Sequence, residues 1–225
     1  MAEGWPVTLT EGDVVLRPLR LRDERAWHAL RSENSRWLDP WETTSPVPLV
    51  GPPPTFGQYL RTLRAEARRG QSLPFAIVYR GRLAGRLTVS QITYGALRGA
   101  SIGYWVGEQF AGLGITPTAV ALVTDHCFFA LGLHRMEINI RPENGPSLRV
   151  VEKLGFRDEG LRERYLHIAG SWTDHRTFAL TAEEVPAGLV PRWREVQRLD
   201  LERRAAPTSP TGPSGAVGTD GTTPV

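Results

Sequence analysis

Gly112-Leu113-Gly114-Ile115-Thr116-Pro117 lies between an apolar run at residues 102–106 and a longer apolar segment at residues 118–131. The shorter run has the length of a strand, and the longer segment has the length of a helix. Glycines between a strand and a helix leave backbone N–H groups bare at the helix N-terminus, where they form a site for anions. This stretch therefore predicts a bound phosphate or pyrophosphate.

A second loop follows the predicted helix and repeats the order of strand, loop and helix. The apolar strand at residues 135–141 runs into Pro142-Glu143-Asn144-Gly145-Pro146-Ser147. A short helix then ends at Leu154-Gly155-Phe156. We predict that the two loops, with the helix between them, form one site.

Two common phosphate-binding motifs do not fit the first loop. If Gly112 and Gly114 opened a dinucleotide fingerprint, its third glycine would fall at Pro117, and a Rossmann unit would place a parallel strand at the start of the domain. A Walker loop is excluded because the chain has no Gly-Lys-Ser/Thr. The loop is therefore unlike the sites for nicotinamide cofactors and for P-loop nucleotides.

The composition indicates a globular protein with one main domain. The chain has 225 residues, of which 40% are hydrophobic and 23% are charged, values typical of proteins with a core. The formal net charge of +3 is only mildly basic, and surface arginines account for it without nucleic-acid binding. Cys127 is the only cysteine, so no internal disulfide forms, which fits a reducing cytosol.

The sequence predicts a cytoplasmic location. Residues 1–9 have neither a basic n-region nor an apolar h-region, so we expect no signal peptide. The longest apolar stretch, residues 119–133, is interrupted by polar side chains and is too short to span a bilayer. We therefore expect no membrane partner. The sequence does not decide the oligomeric state.

Apolar runs and turn signals predict an α+β fold with a central sheet. Asp23 is the predicted N-cap of a helix through Leu30, and a Pro-rich connection at residues 34–54 excludes a long helix there. A further helix is predicted at residues 56–69. The predicted strands are residues 14–19, 75–79, 83–92, 99–106, 135–141, 161–168 and 171–180.

We divide the chain into a main domain, residues 1–185, a C-terminal amphipathic helix, residues 186–204, and a tail, residues 205–225. The helix has a narrow apolar stripe, which predicts docking on the domain rather than a membrane surface. The tail has too little apolar surface to offset the entropy of ordering, which predicts disorder. The stripe consists of Leu189, Trp193, Val196 and Leu199.

The two loops resemble the acetyl-coenzyme A site of the GNAT superfamily of N-acetyltransferases. The resemblance lies in Gly112-Leu113-Gly114-Ile115-Thr116, Asn144-Gly145-Pro146-Ser147 and Glu152-Lys153-Leu154-Gly155-Phe156. It implies the GNAT fold, with a mixed, mostly antiparallel central sheet that is flanked by helices and splayed between its fourth and fifth strands. It also implies acetyl-CoA as the co-substrate and no metal.

In that family, N–H groups of the glycine loop hold the coenzyme A pyrophosphate, and the asparagine lies beside the pantetheine arm and the thioester. The family often has Gln or Arg where this chain has Ala111. Gln109 permits a second register, but the first keeps Pro117 in the first helical turn, where a missing N–H costs little. The residues implied to bind the co-substrate are Val106, Ala111, Gly112, Leu113, Gly114, Ile115, Thr116, Asn144 and Ser147.

Two further segments resemble the RimJ/RimL branch, which acetylates the N-terminal alanine or serine of proteins, notably ribosomal proteins. They are Asn34-Ser35-Arg36-Trp37-Leu38-Asp39-Pro40-Trp41-Glu42 and Arg164-Tyr165-Leu166-His167-Ile168-Ala169-Gly170-Ser171-Trp172-Thr173-Asp174-His175. The resemblance covers residues 14–180. It implies a protein N-terminus as the acceptor, bound by Trp37, Trp41 and Tyr165. Trp37, Trp41 and Trp172 are candidates for the walls of a peptide groove, although aromatic residues in such segments are more often part of a core.

The reaction needs a neutral amine and a proton donor for the leaving thiolate. An α-amine has a pKa of about 7.7–8 and is partly neutral near pH 7.4, so an N-terminal acceptor needs only a modest base. Many family members supply the acid from a helix tyrosine, but Val151 occupies that position here. The branch resemblance implies Ser147 as the acid and Glu159 as the base. Glu42 is another candidate for the base.

These residue types also have structural roles. Ser147 at a helix start is suited to capping, Glu159 lies in a charged run suited to solvent, and Glu42 is suited to a loop salt bridge. His175 is expected to hydrogen-bond within its hairpin. Cys127 is expected to be buried and inert, which favours direct attack of the amine on acetyl-CoA over an acetyl-cysteine route.

We therefore predict an acetyl-CoA-dependent transferase that acts on a protein N-terminus. A small-molecule amine acetyltransferase is the main alternative, because such enzymes share the cofactor half of the site. A non-enzymatic acyl-CoA-binding module is supported by Val151. Ribosome or nucleic-acid binding as the main function rests on Arg61, Arg64, Arg68, Arg69 and the last helix.

Overall fold

A computed structural model describes residues 5–47 and 51–205. Within these residues one sheet of eight strands runs in the order β1-β2-β3-β4-β5-β6-β8-β7. The strands are β1 (Leu9–Glu11), β2 (Val14–Pro18), β3 (Leu73–Tyr79), β4 (Arg82–Thr93), β5 (Gly99–Val106), β6 (Arg135–Ile140), β7 (Arg157–Ile168) and β8 (Ser171–Thr181). The helices are α1 (Glu24–Glu33), α2 (Ser35–Leu38), α3 (Phe56–Arg68), α4 (Ile115–Asp125), α5 (Gly145–Leu154) and α6 (Leu189–Ala205).

The sheet is antiparallel except at β5 and β6, which are parallel. These two strands pair only from Gly99–Arg135 to Ser101–Glu137. Beyond Ser101 they diverge, although β5 continues to Val106 and β6 to Ile140. The α+β class, the mixed sheet and the splay between its predicted fourth and fifth strands are confirmed. The short strand β1 was not predicted, so these strands are the fifth and sixth of the sheet.

The faces of the sheet carry different helices. On one face, α4 and α5 cover a core that includes Ile102 and Val151. On the other face, Trp27 of α1 and Phe56 of α3 belong to a smaller aromatic cluster. The helix α3 begins with a capping box, in which Thr55 and Gln58 each accept a backbone N–H of the other. Apolar residues at helical spacing then face the sheet, as predicted for this segment.

Two local predictions need correction. The carboxylate of Asp23 does not cap α1; it accepts from the Arg20 backbone N–H and from Arg17, at 2.7–2.8 Å. The connection after Asn34 contains the short helix α2 and a 3-10 turn, Asp39–Trp41. The apolar segment after the glycine loop, which was predicted as one helix, is α-helical only to Asp125. Its last residues form a π-turn, His126–Ala130.

Cys127 lies in that π-turn and is buried, as predicted. Burial raises the pKa of its thiol to about 12, so the thiolate needed for a nucleophile is not formed near pH 7. An acetyl-cysteine route therefore has no support at this residue.

The C-terminal helix α6 packs on α4. Asp125 accepts the N–H groups of Leu189 and Val190 at 2.5 and 3.0 Å and so caps α6. Trp193 of α6 is buried. The predicted tail lies outside the described residues from residue 206 onward. In the described part of the chain, no helix is both long and apolar enough to cross a bilayer.

Candidate active site

A cavity of about 870 Å³ lies where β5 and β6 diverge. Its lining includes Tyr104, on the face covered by α4 and α5, and Trp105, whose side chain points to the opposite face because strand residues alternate. The volume suits a small-molecule substrate. The splay thus connects a half beside α4 and α5 with a half beside α1 and α3. We call these the cofactor half and the acceptor half.

The glycine loop forms the wall of the cofactor half. Gly112 and Gly114 have φ angles of 76° and 74°, a left-handed conformation that side chains disfavour. The first hydrogen bond of α4 runs from the Thr118 N–H to the Gly114 carbonyl at 3.2 Å, so the N–H groups of Ile115 and Thr116 precede the helical ladder. These donors and the helix dipole favour an anion.

Basic side chains of α5 line the same cavity, and one of them, Lys153, also lies 3.8 Å from the Asp200 carboxylate of α6. Arg149 and Lys153, one turn apart on α5, both line the cavity. All the residues that the family resemblance assigns to the co-substrate line it as well, except Leu113. The Leu113 side chain is exposed, so only its backbone belongs to the loop. The cofactor half therefore has both the backbone donors and the positive charge that a pyrophosphate needs.

The asparagine turn leaves the serine hydroxyl available. Asn144 is the N-cap of α5, because its Oδ1 accepts the Ser147 N–H at 3.1 Å. The Ser147 hydroxyl therefore has no capping role, which removes the structural alternative considered for it. The side chain of Ser147 lines the cavity instead.

Tyr104 is a site residue that sequence reasoning missed. Its hydroxyl is buried beside Ser147 and makes no hydrogen bond of normal geometry within the described residues. Burial raises the pKa of Tyr104, and the neighbouring Ser147 hydroxyl offsets this only in part, so the phenol stays protonated. Alternation along β5 from Ile102 to Val106 was the signal that could have placed this side chain in the cofactor half.

The first RimJ/RimL-like segment lines the acceptor half. Trp37, Trp41 and Glu42 all contact the cavity. Trp37 Nε1 donates to the Val106 carbonyl at 3.1 Å, which fixes the indole at the end of β5. Glu42 accepts from Arg31 Nη2 at 2.8 and 2.5 Å, so it forms the loop salt bridge considered as its structural role. It nevertheless faces the cavity.

The structure does not bring Glu159 to the cavity. Its carboxylate lies between Arg135 and Arg157 on the β7 side of the sheet. Hydrogen bonds from Arg135, which has the larger effect, and from Arg157 lower the pKa of Glu159 to about 2. A carboxylate so far below the pKa of an amine is a poor proton acceptor, so the base assignment implied by the resemblance is not retained.

Tyr165 and Trp172 also lie off the cavity lining. Tyr165 packs edge-on against His175, and Trp172 is 55% exposed.

His175 itself is buried and lines the cavity. Its Nδ1 lies 3.1 Å from the Thr173 carbonyl, which confirms a hydrogen bond within the hairpin. Because a carbonyl only accepts, Nδ1 carries the proton and Nε2 keeps a lone pair. Burial lowers the pKa of His175, which favours this neutral form.

Helix α6 supports the glycine loop from behind. Trp193 Nε1 donates to Thr118 Oγ1 at 2.8 Å, and that hydroxyl donates to the Gly114 carbonyl at 2.8 Å. The Trp193 indole, the Thr118 hydroxyl and the Gly114 carbonyl lie where α6 packs on the start of α4. This chain of hydrogen bonds fixes the carbonyl at the start of α4, directly below the bare N–H groups.

We expect Trp193→Phe to lower the free energy of unfolding by about 1–2 kcal/mol, because the buried Thr118 hydroxyl loses its donor while the aromatic packing is kept. The KM for acetyl-CoA should rise a few-fold. Urea unfolding and steady-state kinetics measure the two effects. The same substitution at the exposed Trp172 is the control and should change neither. An unchanged KM in a destabilised Trp193→Phe protein would mean that α6 does not support the loop.

Comparisons with known proteins agree with this geometry. The profile of the family described as "Acetyltransferase (GNAT) domain" matches residues 13–157. A structure described as Mycobacterium smegmatis RimJ in complex with CoA-disulfide is 42% identical, covers 88% of this chain and 98% of its own, and superposes with a TM-score of 0.81.

Two curated relatives have sequence similarity over most of the chain. The probable N-acetyltransferase YjcK of Bacillus subtilis is 35% identical over 74% of this chain and 93% of its own length. The ribosomal protein uS5-alanine N-acetyltransferase of Escherichia coli is 26% identical over 81% of this chain and 94% of its own length. With the glycine loop, the splayed sheet and the asparagine turn in place, the chain belongs to the GNAT acetyltransferase family, in its RimJ/RimL-like branch.

Proposed function

We propose that this acetyltransferase transfers the acetyl group of acetyl-CoA to the α-amine of a protein N-terminus, that of a cytoplasmic ribosomal protein. One observation carries this proposal. The two segments that resemble the RimJ/RimL branch come together beside the acceptor half. Directly after the first segment, Thr43 pairs with Ile168 of the second, and the Thr44 N–H donates to the His167 carbonyl at 2.9 Å. The similar uS5-alanine N-acetyltransferase of Escherichia coli has a name that points to the same class of acceptor.

The acceptor half suits an amine on a flexible chain end. It is walled by Trp37 and Trp41 and bounded by the hairpin of β7 and β8. Arg141 fixes this wall, because Nη1 donates to the Pro40 carbonyl at 2.9 Å and its guanidinium stacks on Trp41. Rigid aromatic walls contact an extended peptide without losing much side-chain entropy.

The proposed step is direct attack. The amine nitrogen forms a bond to the thioester carbonyl carbon, the carbon–sulfur bond breaks, and the coenzyme A thiolate takes up a proton. The amine gives up one proton, and Nε2 of His175 and the carboxylate of Glu42 are candidate acceptors in the cavity lining. Ser147 and Tyr104 supply hydroxyl donors from the cofactor half.

The purified chain should release coenzyme A with short peptides that have a free alanine or serine N-terminus. The same peptides with a blocked α-amine and an internal lysine are the control and should not react, since a lysine of pKa about 10.4 is almost fully protonated near pH 7. Thiol release and intact mass measure transfer. Turnover of small amines without any peptide would identify a small-molecule acetyltransferase. Binding of acetyl-CoA in calorimetry without any transfer would identify a binding module.

We expect His175→Asn to lower kcat about 10-fold. This is less than the usual effect of a general base, because part of an α-amine is already neutral. Because burial lowers the pKa of His175, the loss of kcat that follows protonation of this imidazole should occur below the pKa of about 6.5 of a free histidine. The kcat–pH profile measures this. Glu42→Gln is the comparison variant. If the fall of kcat at low pH disappears in Glu42→Gln and persists in His175→Asn, the base is Glu42.

A further inference from the structure

Arg86 is a cation in the wall of the acceptor half. It lies on β4 opposite Trp105 of β5 and Ala76 of β3, and residues directly opposite in a sheet share a face. Its side chain therefore points to the face covered by α1 and α3, and it lines the cavity. The glycine loop lies at α4, on the other face. Arg86 is thus separated by the sheet from the donors that suit a pyrophosphate.

The guanidinium of Arg86 is held in a fixed orientation. Nε donates to Thr88 Oγ1 at 2.9 Å, and Nη1 donates to the Tyr59 hydroxyl at 2.6 Å. Nη2 makes no hydrogen bond to the described residues. Both hydroxyls accept from Arg86, so each keeps its own proton for a further acceptor. Arg86, Tyr59 and Thr88 all line the cavity and together present donors to it.

This cluster has no anion of its own. Arg86 forms no ion pair with a carboxylate within residues 5–47 and 51–205, whereas the neighbouring Arg31 is paired with Glu42. Glu66, the acidic residue of α3 whose charge is felt at Tyr59, accepts a hydrogen bond from Ser72. The surrounding Trp27 and Phe56 are apolar and exclude water in part, which strengthens an ionic contact there. The cluster is therefore complementary to a carboxylate.

We propose that Arg86, Tyr59 and Thr88 form a subsite for a carboxylate of the acceptor, so that amines with an acidic group nearby are preferred. The inference rests on the proposed function where it takes the acceptor to be a peptide. An extended peptide advances about 3.3–3.6 Å per residue. The α-carbon of a glutamate or aspartate at the second or third position therefore lies within about 10 Å of the reacting amine.

The test compares matched peptides that begin with alanine and carry glutamate or glutamine at position 2 or 3. The wild-type chain should favour the glutamate peptide by about 10-fold in kcat/KM at one of these positions, because charged hydrogen bonds are the stronger ones. In Arg86→Gln this ratio should fall to near 1. The matched control is Arg82→Gln, an exposed arginine of the same strand that does not line the cavity, and it should keep the wild-type ratio.

A wild-type ratio near 1 at both positions, or an equal ratio in wild-type and Arg86→Gln, would overturn the subsite. If small amines react and peptides do not, the proposed function fails. The subsite is then tested with β-alanine and its amide in place of the two peptides, and the same kcat/KM ratios are expected for wild type and Arg86→Gln. If nothing reacts, the Kd values of the two peptides in the presence of coenzyme A replace kcat/KM. An unchanged KM for acetyl-CoA in Arg86→Gln shows that the cofactor half is intact.

Discussion

Replacement of Gly112 by aspartate is expected to raise the KM for acetyl-CoA by about 100-fold, because the new carboxylate opposes the coenzyme A pyrophosphate. A unit charge about 5 Å from a phosphate, at an effective dielectric constant of about 20, costs roughly 3 kcal/mol, which corresponds to about 100-fold in affinity. The fold should tolerate the change. A Cβ at Gly112 meets no heavy atom within 4 Å, and aspartate is among the residues that accept its positive φ of 76°.

Gly112→Asn is the matched control, since asparagine has the same size and the same tolerance of this backbone but no charge. It should raise KM only a few-fold, and the difference between the two variants should shrink as salt is added. Calorimetry with coenzyme A and thermal melting complete the measurement. Equal weakening by the two variants would mean that the glycine is needed for its backbone rather than for an anion, and it would remove the pyrophosphate from this loop.

The cofactor half was predictable because its parts are contiguous in the sequence. The glycine loop needs only a strand before it and a helix after it, and the asparagine turn needs only the next strand. Local patterns therefore predicted that the loops of Gly112, Gly114 and Asn144 form one site, and these residues line one cavity. The splay between β5 and β6 followed from the resemblance to a family, not from the pattern itself.

The side chains that the strands contribute to the two halves could not be assembled in the same way. Tyr104, His175 and Arg86 reach the cavity only through the register of three different strands, and a shift of one residue would turn each to the other face. Glu159 illustrates the converse. Its position after Gly155-Phe156 matched the branch, but the register of β7 and β8 places it beside Arg135 and Arg157, which hold it as a structural anion.

Tyr104→Phe is expected to lower kcat about 100-fold, the usual cost of removing a donor aimed at charge that develops in the transition state. The phenol lies beside Ser147 in the cofactor half, and its raised pKa keeps it protonated as a donor at every assay pH. Ser147→Ala should cost about 10-fold. Because Asn144 is the cap of α5, loss of the serine hydroxyl should leave stability unchanged.

Stability and activity should move in opposite directions at Tyr104. A buried hydroxyl without a hydrogen bond of normal geometry costs about 1–3 kcal/mol of desolvation, so phenylalanine, which has the same shape without that oxygen, should raise Tm or leave it unchanged. A residue that served packing alone would show the reverse, with Tm lowered and kcat retained. If Tyr104 and Ser147 act as a pair, the double variant should lose less than the product of the single losses, because the first removal has already disrupted the pair. Full kcat in Tyr104→Phe would leave Ser147 as the donor and assign Tyr104 to the wall of the cavity.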